Sequence, residues 1–206
     1  IIGMTQIARM HLEDRERLKD CLDKIESSSG YLLGLINEVL DMSRLESGHM
    51  DLTEEPLNLA EALRSFVEVL RPNAEKKGQS LTLSFESVSS PHVLADRMRL
   101  QQIFVNLVSN AVKYTPEGGR IQVVMQEQPE KMAGYGFYQF QVRDNGIGMS
   151  EEFQKHLFEP FSREDNSMTG KEAGTGLGLC ITRMAAGMMQ GDITVDSVKG
   201  KGTVFT

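Results

Sequence analysis

The sequence is poor in cysteine. It has two cysteines, Cys21 and Cys180, which lie far apart in different sequence contexts. Such isolated cysteines exclude a disulfide framework and a cysteine-based zinc site, and they are typical of a reducing compartment. We therefore expect a cytoplasmic chain.

Long apolar runs and blocks of basic residues are also absent. No run approaches the roughly 18 apolar residues that a membrane-spanning helix needs, so we expect no membrane contact by this part of the protein. No block of Lys and Arg is interleaved with aromatic residues, and the net charge is −7. This composition argues against binding to a phosphate backbone, and we expect no nucleic-acid partner.

A starting methionine and a signal peptide are missing as well. The chain begins with Ile1-Ile2-Gly3 and ends with Thr203-Val204-Phe205-Thr206, which has the pattern of a strand. We therefore expect an excerpt from a longer protein, truncated in its last strand.

The first part of the chain, residues 1–49, has a helical pattern. Mostly apolar residues recur at alternating steps of four and three along Leu18, Leu22, Ile25, Ser29, Leu32, Ile36, Val39 and Ser43. This repeat predicts helices packed lengthwise, and residues 1–10 predict a preceding helix joined through a turn at residues 11–14. Two helices cannot enclose so wide a stripe. A homodimer that forms a four-helix bundle is therefore expected, with packing against the second part as the alternative.

The second part, residues 50–206, mixes helices and strands. We expect a connector over 50–59 that leads into an edge strand, and a loop over 162–173. The pattern predicts helices over 58–77, 96–114 and 175–189, and strands over 80–86, 92–95, 120–126, 136–143, 192–195 and 203–206. The elements lack a strict βαβ alternation. We therefore predict an α/β sandwich, in which helices cover one face of a mixed sheet.

The first of four motifs in this part lies on the predicted helix 96–114. It contains Asn106, Asn110, Lys113 and Tyr114, which share one helix face. Two amide oxygens one turn apart can complete the oxygen shell of a Mg²⁺ ion held by phosphates. A lysine one turn further supplies a cation for those phosphates.

The second motif, Asp144-x-Gly146-x-Gly148, follows a predicted strand. Its glycines allow positive φ angles and the close approach of a flat ligand. The carboxylate can accept a hydrogen bond from an exocyclic amine such as that of adenine.

The third and fourth motifs are rich in glycine. Residues 200–203 predict a tight turn into a strand, where the Thr203 hydroxyl could reach the same adenine edge. The third motif consists of Gly174, Thr175, Gly176, Leu177, Gly178 and Leu179. It leads into a predicted helix, whose first main-chain N–H groups form an anion site. The spacing of its glycines matches neither the dinucleotide fingerprint nor the GxxxxGK[ST] loop.

In order and spacing, the four motifs resemble the N, G1, G2 and G3 boxes of the histidine kinase catalytic domain. Residues 158–161, Phe-Glu-Pro-Phe, are similar to its F box. The resemblance covers about residues 50–206 and implies a Bergerat (GHKL) fold, with residues 162–173 as the lid over ATP.

The same resemblance implies roles for individual residues. Asp144 would bind the adenine amine and Asn110 would ligate Mg²⁺. Asn106, Lys113 and Tyr114 would lie near the phosphates, and residues 174–179 would wrap around them. Gly146, Gly148, Phe161 and Thr203 complete the expected ATP site. The motifs do not assign the lid residues Arg163 and Lys171.

Residues 1–49 resemble the dimerisation and phosphotransfer hairpin of hybrid sensor kinases, through Ile1-Ile2-Gly3-Met4 and the stretch 40–48. In that family the phosphoacceptor histidine precedes such an Ile-Ile-Gly, so we expect the acceptor to lie outside this chain. The histidines present are His11, His49, His92 and His156, and none is followed by a Glu-x-Arg-Thr-Pro-like stretch. We expect surface or structural roles for them.

The family resemblance implies transfer of the ATP γ-phosphoryl to a histidine, with later relay to an aspartate of a response regulator. A rival function is that of an ATPase of the same superfold. Such enzymes carry a water-activating glutamate where this chain has Asn106, and an amide cannot act as a general base. An anti-sigma serine kinase is a second rival, although that family lacks the heptad hairpin. A degenerate nucleotide-binding scaffold is the third.

Overall fold

The computed structural model describes residues 1–46, 51–132, 134–164 and 174–206. The chain forms two compact units, Ile1–His49 and Met50–Thr206. In the described part of the chain, no helix combines the length and the apolar character needed to cross a membrane.

The first unit is a helical hairpin, as predicted. Helix α1 spans Ile2–Met10 and helix α2 spans Arg15–Glu46. The Asp14 carboxylate accepts a hydrogen bond from the Arg17 main-chain N–H at 3.1 Å, which supports the start of α2. Gly48, a residue type that commonly ends a helix, lies outside the described residues.

Most of the apolar stripe on α2 faces solvent. Leu22, Leu32, Ile36 and Val39 each keep about half of their surface exposed, between 48% and 54%. Among the described residues of this unit, Ala8 and Cys21 are the buried ones. Within the hairpin, these residues therefore form a wide apolar surface that α1 does not cover.

The second unit contains two sheets. Strands β1 (Glu55–Asn58) and β3 (His92–Ala95) form an antiparallel pair. The larger sheet has the order β2-β4-β5-β7-β6, and only its β2–β4 pair is parallel. Its strands are β2 (Ser80–Glu86), β4 (Arg120–Met132), β5 (Tyr135–Asp144), β6 (Val195–Val198) and β7 (Gly202–Phe205).

In the described part of this unit, four helices accompany these strands: α3 (Leu59–Lys76), α4 (Arg97–Tyr114), α5 (Glu151–His156) and α6 (Gly178–Met188). Asn58 and Asp96 cap α3 and α4 through side-chain oxygens that accept main-chain N–H groups. The core lies between these helices and the sheet, where the Phe104 ring meets the Phe140 ring edge-on at 4.9 Å. The predicted α/β sandwich with a mixed sheet is confirmed.

Two predicted elements begin three residues too early in the chain. Helix α6 begins at Gly178 instead of residue 175, because Gly176 has a φ of 75°, which no α-helix contains. Strand β6 spans Val195–Val198 instead of residues 192–195. The turn at residues 199–201 pairs Val198 with Gly202, so the strand occupies the residues directly before that turn.

Strands β4 and β5 are longer than predicted. They pair as far as Gln128 with Phe137, and Met132 with Tyr135 beyond a register shift. The polar side chains of Gln128 and Gln139 hydrogen-bond across this extension at 3.2 Å. The extension lacks the apolar alternation that predicts strands because this pair reaches beyond the core.

Candidate nucleotide-binding site

Helix α4 carries the polar face that the first motif predicted. The Asn106 Nδ2 donates to Thr182 Oγ1 of α6 at 2.6 Å, and Asn110 Nδ2 donates to Asn106 Oδ1 at 3.4 Å. Near the end of α4, the Lys113 ammonium lies 4.9 Å from the centre of the Tyr114 ring. The face therefore contacts α6 through Asn106.

The C-terminal end of α4 is held by Lys77 and Gln79, which precede β2. The buried Gln79 Nε2 donates to the carbonyls of Val112 at 3.0 Å and Thr115 at 2.6 Å. The Lys77 ammonium donates to the carbonyls of Val112 and Lys113, each at 3.2 Å. These bonds satisfy carbonyls that a helix end leaves without partners. No local sequence pattern predicts this role for Gln79.

Asp144 is the last residue of β5. Its Oδ1 accepts the Gly146 main-chain N–H at 2.8 Å. Burial raises the pKa of this carboxyl above its ordinary value, against smaller lowering effects of hydrogen bonds from the N–H groups of Gly146 and Thr203. An ionised carboxylate only accepts hydrogen bonds, so Asp144 fits the exocyclic amine of adenine.

The loop after Asp144 forms hydrogen bonds both to the end of α4 and to the β6–β7 turn. The Ile147 N–H donates to the Tyr114 carbonyl at 3.1 Å, and the Gly200 N–H donates to the Ile147 carbonyl at 2.7 Å. Gly148 has a φ of 60°, and a Cβ atom there would lie 2.1 Å from the Val198 carbonyl oxygen. The expected positive φ is therefore present at Gly148, where the close neighbour is the protein's own backbone.

Thr203 faces Asp144 across the β5–β7 pair. Its hydroxyl lies 2.9 Å from the Ser197 hydroxyl, which also contacts the Gly202 carbonyl at 3.0 Å and accepts the Met149 N–H at 2.9 Å. Ser197 thus links β6, β7 and the segment at Met149 through hydrogen bonds beside Asp144. It lies outside all four motifs, and no sequence pattern marks it.

The third motif leads into the N-terminus of α6. Leu177 is buried and Leu179 packs against the core, so both can offer only main-chain groups to a ligand. The Leu177 N–H already donates to Thr175 Oγ1 at 3.1 Å. A Cβ atom on Gly174 would lie 3.1 Å from the Lys113 nitrogen. The start of the motif therefore lies against the Lys113 ammonium near the end of α4. A cation beside a helix N-terminus fits an anionic ligand.

The F-box residue Phe161 has a different environment. Its side chain is 68% exposed, and its N–H donates to the Gly176 carbonyl at 3.0 Å. Phe161 therefore supports the third motif through its backbone. Arg163 is exposed, and Lys171 lies outside the described residues.

Three histidines fall within the described residues. His92 and His156 are exposed, and His11 is partly exposed. The His156 ring pairs with the Glu159 carboxylate at 2.8 Å. His49 lies outside the described residues.

Two protein-family models match the chain. Residues 95–206 match the "histidine kinase-, DNA gyrase B-, and HSP90-like ATPase" model, and residues 1–48 match the "His kinase A (phospho-acceptor) domain" model. The signal transduction histidine-protein kinase BarA of Escherichia coli is 38% identical over 205 residues, which cover 100% of this chain and 22% of BarA. The chain thus spans about a quarter of the length of the curated relatives it matches.

Two solved structures are similar to this chain. Full-length ShkA in complex with AMPPNP superposes with a TM-score of 0.76 at 28% identity, covering 99% of this chain and 42% of ShkA. The histidine kinase ThkA, in complex with the response regulator protein TrrA, has a TM-score of 0.70 at 25% identity. That match covers 98% of this chain and 54% of ThkA.

Proposed function

The chain belongs to the family of histidine kinase-, DNA gyrase B- and HSP90-like ATPases, and we propose that it is the ATP-binding catalytic part of a two-component sensor histidine kinase. In this proposal it transfers the γ-phosphoryl of ATP to a histidine, from which the group passes to an aspartate of a response regulator. The match of residues 1–48 to the phospho-acceptor domain supports this choice within the family.

One observation favours phosphoryl transfer to an acceptor over hydrolysis of ATP. The side chain at position 106, on the face of α4 that meets α6, is an amide whose Nδ2 donates to Thr182. An amide has no basic site that could remove a proton from water. The site therefore binds and orients ATP without activating water from this position, which favours an external acceptor.

Different residues of the chain bind the adenine end and the phosphate end of ATP. Asp144 accepts the adenine amine, and its buried position strengthens this contact. Lys113 and the N–H groups at the start of α6 neutralise phosphate oxygens. The Asn110 amide oxygen would hold Mg²⁺, which when bound neutralises charge on the transferred phosphoryl group. Phosphoryl transfer depends mainly on such positioning and charge neutralisation.

We further propose that the chain acts as a homodimer through α1 and α2 and that its relay partner is a response-regulator receiver domain. The exposed stripe of α2 supports the dimer, because apolar surface of this extent is usually covered by a partner. The complex of ThkA with TrrA supports the second partner.

A phosphotransfer assay tests the proposal. The chain should bind ATP with Mg²⁺ in calorimetry, but it should not label itself with γ-³²P-ATP, since none of its histidines has the acceptor context. A longer chain that includes the acceptor helix should acquire acid-labile label. Acid-labile label on this chain would contradict the interpretation of its histidines, and a longer chain that binds ATP without labelling would support a scaffold function.

A further inference from the structure

The buried hydroxyl of Thr182 lies outside the four motifs, yet it contacts the proposed site directly. Thr182 is fully buried on α6. Its Oγ1 donates to the Gly178 carbonyl at 2.9 Å and lies 2.6 Å from Asn106 Nδ2. A Cβ atom on Gly178 would lie 2.5 Å from Asn106 Oδ1, so the glycine lets Asn106 pack closely against the start of α6.

The single proton of this hydroxyl determines the direction of the hydrogen bonds that follow. Because the proton is donated to the Gly178 carbonyl, Thr182 can only accept from Asn106, which must turn its Nδ2 toward the hydroxyl. Asn106 Oδ1 is then the amide atom left to accept from Asn110 Nδ2, at 3.4 Å. Asn110 therefore presents its Oδ1 on the side away from Asn106.

We propose that Thr182 is a positioning residue that fixes, through Asn106, which end of the Asn110 amide is offered to the metal ion. This inference rests on the proposed ATP and Mg²⁺ site and extends it to a residue on a different helix. Mg²⁺ requires oxygen ligands in a near-ideal octahedron, and an amide NH₂ group cannot serve as one. A rotated Asn110 would therefore withdraw a ligand while leaving the adenine contacts intact.

The test separates the metal-dependent part of ATP affinity from the rest. ATP binding is measured by calorimetry in Mg²⁺ and in EDTA, and the ratio of the two affinities is compared among variants. Thr182→Val keeps the shape of the side chain but removes the hydroxyl. We expect it to lower this ratio about fivefold, the equivalent of one typical buried hydrogen bond, with little change in EDTA.

Two further variants serve as controls. Thr182→Ser keeps the hydroxyl and should retain the wild-type ratio. Ser109→Ala removes a hydroxyl of α4 that donates to the main-chain carbonyl of Asn106 at 3.0 Å, and this variant should also retain the wild-type ratio. A folded Thr182→Val variant with the wild-type ratio, or with equal losses in Mg²⁺ and EDTA, would overturn the inference.

A measurement on the wild-type chain keeps the inference testable if Thr182→Val does not fold. The side-chain amide protons of Asn106 should exchange with solvent more slowly than those of Asn37, which is exposed on α2. Equally fast exchange would overturn the inference. A wild-type chain that binds no ATP would instead refute the proposed function, whereas ATP binding without any Mg²⁺ effect would refute the metal-positioning role alone.

Discussion

The main-chain N–H of Ile147 donates to the carbonyl oxygen of Tyr114 at 3.1 Å. Tyr114 ends α4, the helix that carries Asn110, and Ile147 lies in the loop that follows Asp144. This bond therefore joins the phosphate end of the proposed site to its adenine end before any ligand binds. Such preorganisation lowers the entropic cost of binding.

Substitution of Gly146 should break this junction. A Cβ atom there would lie 2.5 Å from the Tyr114 carbonyl oxygen and 2.7 Å from Asp144 Oδ1. We expect Gly146→Ala to lower the midpoint of thermal unfolding by about 3 to 10 °C, the range for overpacking in a chain of this size. ATP affinity measured by calorimetry should fall about tenfold or more, the equivalent of one lost hydrogen bond to a charged group.

Gly187→Ala is the matched control for this change. A Cβ atom at Gly187 meets nothing within 4 Å, and this residue lies inside α6. The control should leave ATP affinity unchanged and keep or raise the unfolding midpoint, because alanine favours helix. Equal behaviour of the two variants would contradict the assigned junction.

Gln79→Leu should destabilise the end of α4. The substitution keeps the approximate size of the side chain but removes the donor to the Thr115 carbonyl, whereas the Val112 carbonyl keeps its bond from Lys77. A buried group that loses its partner costs about 1–3 kcal/mol, so we expect thermal unfolding to occur several degrees lower. Gln128→Leu, on the β4–β5 extension, should shift unfolding much less. A similar shift for both would argue against a special role of Gln79.

Asp144→Asn should remove a pH dependence from both ATP affinity and protein stability, and these two dependences have opposite signs. Only the ionised carboxylate accepts the adenine amine fully, so ATP affinity should fall as the pH falls through the raised pKa of Asp144. The Asn variant should bind about tenfold or more weakly and lack this step, since a hydrogen bond to a charged group is lost. Calorimetry across a pH series measures both. An unchanged affinity in the variant would refute the adenine contact.

The same raised pKa affects the stability of the nucleotide-free protein. Because burial disfavours the charged form, the folded state loses stability as the pH rises from the ordinary value of 3.8 through the raised pKa. Asp144→Asn should remove this loss and therefore unfold at a higher temperature than the wild type at neutral pH. A variant that is less stable at neutral pH would show that hydrogen bonds to the carboxylate outweigh its burial.

Ile36→Glu should dissociate the proposed dimer. Ile36 is 54% exposed in the single chain and lies on the apolar stripe of α2, where a charge would be buried at a dimer interface. Light scattering should give twice the chain mass of 23.0 kDa for the wild type and the single mass for the variant. Asn37→Glu introduces the same charge at an adjacent exposed position and should remain dimeric. A monomeric wild type would refute the dimer.

Much of the fold could be predicted because its signals are local. The predicted helices 58–77 and 96–114 agree with α3 and α4 to within one residue at each end, where the side chains of Asn58 and Asp96 cap them. The alternation in residues 80–86 predicted β2 to the residue. The predicted boundaries were wrong where pairing with another element determines where an element begins. Strand β6 is an example, because its bounds follow from its register with β7.

The sequence by itself determined the types of element, the order of the four motifs and the residues with suitable chemistry, because these depend on neighbours a few positions apart. Only the tertiary structure decided how those residues are supported. Gln79 contacts Thr115 across 36 positions, and Asn106 contacts Thr182 across 76. Such contacts form when the closed core brings separate helices and strands together, and no periodicity along the chain records which side chains then meet.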